Sequence, residues 1–260
     1  MYGASRKKSD IEASKERLES IYRQIPSTKG CMENINAQGG CGAWCCRHQN
    51  PQVLYSEFLN TWNYIIKNFN DDDFRNLFDR CLRKYLFPGK DNGCVLFNKD
   101  SNLCSQHETR PYNCRIYGIT PDEEFKPRYE RLKVLYPDTR EQCNLVKTEN
   151  GEPVTKQDIN EWWIGVRSAD ILLGIKPELL NDGQTGCYRT YHDHLLVHIL
   201  GVENMTMLTQ IRLGSTDEEK EKTIESILSA VTAMISSLKG KKNEEAKPEG
   251  ATASTPSQNS

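Results

Sequence analysis

Long hydrophobic runs are missing from this chain. No stretch approaches the ~18 or more apolar residues of a membrane-crossing helix, so no membrane span is expected. Excess charge of one sign is missing too. With 34 Lys and Arg against 36 Asp and Glu, the formal net charge is −2, which gives no bulk attraction to nucleic acid or to an anionic membrane. The opening residues, MYGASRKKSDIEASKERLES, run into polar sequence with no apolar segment after Lys8, so no secretory leader is expected. There is no Walker lysine motif, no G-x-G-x-x-G and no G-x-S-x-G, which leaves nucleotide-binding and hydrolase readings without support.

What the chain has in surplus is cysteine, ten among 260 residues. A chain of this length buries a core of its own and does not need metal merely to fold. In the cytoplasm, the compartment expected without a leader, glutathione keeps thiols reduced. Grouped cysteines there more often hold metal or do redox work than form disulfides.

The periodicity predicts a mainly α fold, with irregular cysteine-rich metal-binding loops packed on a helical body. Residues 1–26 read as an N-terminal helix. It opens on a capping-box pattern, Ser9-Asp-Ile-Glu12, buries Ile11, Leu18, Ile21, Tyr22 and Ile25, and stops at Pro26. Residues 27–150 read as a cysteine-cluster domain with a helical insertion at 53–87. Leu54, Phe58, Trp62, Ile65, Ile66 and Phe69 form one apolar face of that insertion. Phe74, Leu77, Phe78, Cys81, Leu82 and Tyr85 form a second, after an Asn70-Asp71-Asp72-Asp73 turn suited to a helix N-terminus. The rest of that domain reads as irregular, residues 90–150 included. Residues 151–240 read as a C-terminal helical region: one helix at 155–173 with Gly174 as its C-cap, one near 190–200, another near 203–212, and the clearest at 216–239. This last helix follows a second capping box, Ser215-Thr-Asp-Glu218, and ends at Lys239-Gly240. Its repeat of Ile224, Ile227, Leu228, Val231, Met234, Ile235 and Leu238 packs on the body or pairs with a partner helix. Residues 241–260 lack aromatic and branched aliphatic side chains and read as a disordered tail.

Eight cysteines fall in the irregular segments: Cys31, Cys41, Cys45, Cys46, Cys94, Cys104, Cys114 and Cys143. Glycines and prolines bracket them, so the backbone there can wrap an ion and turn several sulfurs inward. Four thiolates close a tetrahedral zinc site and also hold an iron–sulfur cluster; eight would serve two centres. Cys45 and Cys46 in extended backbone would point to opposite sides, so both do not easily reach one ion. Arg110 and Arg115 flank Cys114. Beside an anionic metal–thiolate centre, such arginines offset charge and donate hydrogen bonds to sulfur; in a Pro-turn they also read as ordinary surface residues. Cys81 lies on an apolar helix face and reads as a core thiol. Cys187 reads as a stray thiol or as part of a second site with nearby histidines. His48 and His107 sit beside cysteines and could replace one as ligand. In the H-x-H-x-x-x-H run of His192, His194 and His198, the last two share a helix face at a spacing a metal can bridge, but apolar residues surround them and the H-E-x-x-H pattern is absent, so ordinary helix histidines are expected.

The segment CGAWCC, then CVLF, NLC, ETRPYNCRIYG and a later lone cysteine, resembles the YkgJ-like cysteine-cluster proteins, described as zinc- or iron-chelating domains. The resemblance covers about residues 31–145, and its most specific piece is Arg110-Pro111-x-x-Cys114-Arg115. Here the first cysteine stands further ahead of Cys41 than in the family pattern, which makes Cys31 the weakest ligand candidate. A relative of that family, flagellin lysine N-methylase, is associated with an iron–sulfur cluster, so the resemblance implies iron–sulfur narrowly ahead of zinc. Two readings follow. One is an iron–sulfur protein with a redox or methyl-transfer role. The other is a structural-zinc scaffold that docks a partner protein through helix 216–239, with neither nucleic acid nor membrane involved.

Overall fold

The computed structural model describes residues 6–26, 46–47, 49–90, 93–98, 103–135, 148, 151–180 and 187–245, with side chains except at 103, 122, 128, 129, 132, 135 and 232–245. Helices dominate: α1 (Lys8–Tyr22), α2 (Tyr55–Asn68), α3 (Asp71–Leu86), α4 (Tyr112–Ile116), α5 (Asp122–Leu135), α6 (Lys156–Leu172), α7 (Tyr191–Gly214) and α8 (Asp217–Glu245). Four two-residue strands pair antiparallel. β1 (Gln52–Val53) pairs with β4 (Arg189–Thr190), and β2 (Phe97–Asn98) pairs with β3 (Leu103–Cys104). No helix of the described residues is long and apolar enough to cross a membrane.

The body is built from helix pairs. α1 lies along α6, α3 lies along α7, and α8 covers α3; α2 touches α1, α6 and α7. The faces read from periodicity are the faces that pack. Leu77, Phe78, Cys81 and Leu82 of α3 are fully buried, as is Val166 of α6. Each large apolar side chain so buried contributes about 1.5–3 kcal/mol of transfer free energy. Gly165 lets α1 and α6 approach: a Cβ there would stand 2.5 Å from Ile21 Cδ1.

Two capping boxes differ from expectation. α1 begins at Lys8 with Lys7 as an uncapped N-cap, and Ser9 bonds its neighbour Asp10 instead. At the other end of the chain the box is shifted by one residue. Ser215 ends α7, so Thr216 caps α8: its Oγ1 accepts from the Glu219 N–H at 3.3 Å, and Glu219 accepts from the Thr216 N–H at 2.7 Å. α8 also continues past Gly240 to Glu245, since Lys, Asn and Glu sustain a helix and one glycine costs only about 1 kcal/mol. The tail from 246 lies outside the described residues.

α5 was unexpected. Residues 90–150 read as irregular, yet Asp122–Leu135 is a helix containing Pro127. Among its described side chains, Phe125 is buried, against Tyr117. α7 is interrupted at Gly201, where φ is 79° and ψ is 164°, a conformation glycine adopts without strain. That interruption separates the two helices expected near 190–200 and 203–212.

The inner face of α8 is used within the chain. Ile224, Leu228 and Val231 are buried and belong to the same core as Leu77 and Leu82 of α3.

Candidate metal centre

Four of the eight candidate ligands fall among the described residues. Cys46, Cys94, Cys104 and Cys114 are half-buried thiols. Cys31, Cys41, Cys45, Cys143 and the alternative ligand His48 lie outside them.

The β2–β3 hairpin frames three of the four. Val95 and Leu96 join the core and hold the hairpin to the body, and Phe97 is buried. Phe97 stands opposite Cys104 in the ladder, and its N–H donates to the Cys94 carbonyl at 3.1 Å. The Cys94 N–H donates in turn to the carbonyl of Cys46 at 2.7 Å. Cys46, from the first cysteine segment, is thus joined through main chain to Cys94 and Cys104 of the second. Cys46 is in helical backbone, so the extended-strand argument for opposed neighbours does not apply at that residue.

Cys114 stands elsewhere, on the short helix α4. Its N–H donates to Pro111 O at 3.0 Å. It is near the buried Tyr191 hydroxyl, which is pushed well above its ordinary range, first by burial and then by the Cys114 and Glu57 charges. Among the described residues, no three of His, Cys, Asp or Glu converge tightly enough to hold a metal ion.

The two arginines divide. Arg115 spends its donors on main chain: Nε on Arg110 O at 2.7 Å and a terminal nitrogen on Glu108 O at 2.8 Å, with the guanidinium 4.1 Å over the Tyr22 ring. Burial lowers its pKa, and the charge of Cys114 acts in the opposite direction. Arg110 is different: its Nε is buried with no acceptor among the described residues. A buried N–H without an acceptor is costly. An anionic sulfur centre would supply the kind of acceptor this donor lacks. His107, three residues after Cys104, is held near pKa 4 by burial and by Arg110 and Arg115, which keeps its imidazole neutral.

The other described thiols and the histidines of α7 are taken up by packing and hydrogen bonds. Cys81 and Cys187 are fully buried, and burial pushes the Cys187 thiol up to about 12. His194 is fully buried, stacks on Phe58 at 5.1 Å and bonds the Val53 carbonyl through Nε2 at 2.9 Å. His198 packs edge-on to Trp62, and His192 Nδ1 bonds Thr190 and Asn50.

Two buried carboxylates escaped the sequence reading. Leu54, the N-cap of α2, has no acceptor to offer the first turn. Asp170, from α6, accepts from the N–H groups of Tyr55 at 3.1 Å and Ser56 at 2.6 Å. Glu57 accepts from Leu54 N–H at 2.9 Å, from the Tyr22 hydroxyl at 2.6 Å and from Tyr112 N–H at 2.6 Å. Tyr112 begins α4, so Glu57 also fixes the helix that carries Cys114. The available signal was position: Asp170 falls four residues after Val166 on the inward face of its helix.

Residues 37–144 match the CxxCxxCC family. Its description is "Putative zinc- or iron-chelating domain". The matched stretch takes in all four described candidate ligands, the β2–β3 hairpin, α4 and the arginines, together with Cys41, Cys45 and Cys143. No curated protein and no solved structure matches the chain.

Proposed function

We propose that this CxxCxxCC segment holds an iron–sulfur cluster through cysteine thiolates, with zinc as the other occupant its donors accept. The observation that carries the reading is the Cys94–Cys46 main-chain hydrogen bond, which joins the two cysteine segments beside Cys104. Among the described residues no three ligands converge, so a centre that uses Cys46, Cys94 or Cys104 completes its set with Cys31, Cys41, Cys45 or Cys143. Cys114 serves that centre or a second one. Arg110 lies between the hairpin and Cys114 in the chain and supplies a donor for sulfur. Arg115, held over Tyr22, contributes positive charge.

Thiolate ligands suit a reducing compartment, the cytoplasm. Bound iron–sulfur would supply electron transfer or radical chemistry, and the redox or methyl-transfer role rests on that choice of metal. The zinc-scaffold reading is less favoured, because Ile224, Leu228 and Val231 of its docking helix already pack on α3.

The test is purification without oxygen, followed by absorption spectroscopy and metal analysis. A brown protein with a band near about 400 nm and matching iron and sulfide supports the cluster. A colourless protein with tightly held zinc rejects the cluster in favour of zinc. If neither metal copurifies and every cysteine alkylates, both occupants are rejected.

A further inference from the structure

We infer that a cationic cleft between α3, α8 and residues 93–97 binds a phosphate-bearing small molecule. The cavity measures about 610 Å³, within the range of small-ligand sites. Its wall carries Arg47, Arg80, Arg83, Lys84 and Lys90 against one carboxylate, Glu221. The chain as a whole has slightly more acid than base, so this concentration of positive charge is local.

The cations are held in place by the fold. Arg80 Nε donates to Val95 O at 2.9 Å, and Lys84 Nζ donates to Gly93 O at 2.6 Å. Lys90 stands 4.4 Å over the Phe87 ring, and Arg47 stands 5.5 Å over the Phe97 ring. Half-buried Arg80 is fixed by one nitrogen, and no described residue accepts from its two terminal nitrogens. Those nitrogens form the planar pair that grips a phosphate oxygen edge. Arg83 is matched differently, by Asp79 at 2.9 Å and by both oxygens of Glu221 at 2.7 and 2.8 Å. Glu221 therefore competes with any anion for Arg83. Lys90 pairs with exposed Asp217 at 2.9 Å, a contact that salt or a multivalent anion readily displaces.

Recognition here uses side-chain cations rather than backbone amides, which is why no glycine-rich phosphate motif accompanies it. The cleft volume and its clustered charge suit two linked phosphates better than one. Cys94 lies on the same wall, and three of the five cations, Arg80, Arg83 and Lys84, sit on α3.

Calorimetric titration of the full chain, as purified with its metal, tests this. The probes are inorganic pyrophosphate, ADP and a short DNA duplex. Pyrophosphate and ADP should bind, more weakly at high salt. Arg80→Gln should weaken both about tenfold through loss of charge-assisted hydrogen bonds. Glu221→Gln should tighten both about threefold, by releasing Arg83. Lys67→Gln, an exposed charge change outside the cleft, should leave them unchanged. Because Glu221 is at the surface, its variant remains informative if Arg80→Gln fails to fold. Absence of binding by both small probes overturns the inference. Affinities that Glu221→Gln leaves unchanged also overturn it, as does tighter binding of the duplex than of pyrophosphate. Metal content read on the same samples tests the metal proposal separately.

Discussion

The amide N–H of Cys94 donates to the carbonyl of Cys46 across 2.7 Å, linking two cysteine segments that α2 and α3 separate in the chain. The helices between them are not a spacer. α3 packs into the core through Leu77, Phe78 and Cys81, and its Lys84 donates to the carbonyl of Gly93, the residue next to Cys94.

Cysteine substitutions should therefore sort by environment. Cys94→Ser and Cys114→Ser should each lose bound metal. Cys81→Ser and Cys187→Ser should retain it, each losing about 1–3 kcal/mol of stability from a hydroxyl placed in an apolar site. Metal analysis with denaturant unfolding separates the two groups. Equal metal loss from Cys81→Ser and Cys114→Ser would show that the division between core thiol and ligand is wrong.

Asp170 should make stability pH-dependent in a definite direction. Burial raises its pKa from 3.8 to about 6, against the pull of the Ser56 and Tyr55 hydrogen bonds. Between those values the folded chain binds more protons than the unfolded chain. The Asp170 contribution is then fully present below about pH 4 and is lost as pH rises through 6, a change of about 3 kcal/mol. Asp170→Asn cannot titrate. The stability difference between parent and variant, measured by urea unfolding from about pH 4 to pH 7, should shrink as pH rises. A constant difference counts against this account.

Glu57 ties α4 to the body. Glu57→Ala leaves the Tyr22 hydroxyl and the Tyr112 and Leu54 N–H groups without their acceptor, so it should cost about 3–5 kcal/mol. Glu57→Gln, which keeps one carbonyl oxygen, should cost clearly less. Because Tyr112 begins the helix bearing Cys114, the alanine variant should also release metal faster to a chelator. Unchanged release at a reduced denaturation midpoint would confine Glu57 to a role in stability.

Gly165 faces Ile21 with no room for a methyl group. Gly165→Ala should destabilise by about 1–3 kcal/mol through overpacking. Ile21→Ala removes the opposing atoms, so the double variant should be less destabilised than the two single losses added together. Strict additivity would show that α1 and α6 adjust without strain.

The sequence alone determined what depends on near neighbours. Helix faces follow from side chains three and four residues apart, so the buried sets of α3 and α6, the core position of Cys81 and the division of α7 into two helical stretches were all legible. The zinc- or iron-chelating family was legible too, because its cysteine pattern is a matter of local spacing. Cap positions were legible only to within a residue or a turn, as Thr216 displacing Ser215 shows, because the end of one helix decides where the next begins. Only the tertiary structure decided which distant groups meet: Cys94 with Cys46, Asp170 with the first turn of α2, Glu57 with α4, and five cations around one cleft. Those meetings depend on helix packing across long stretches of chain, and no local spacing encodes them.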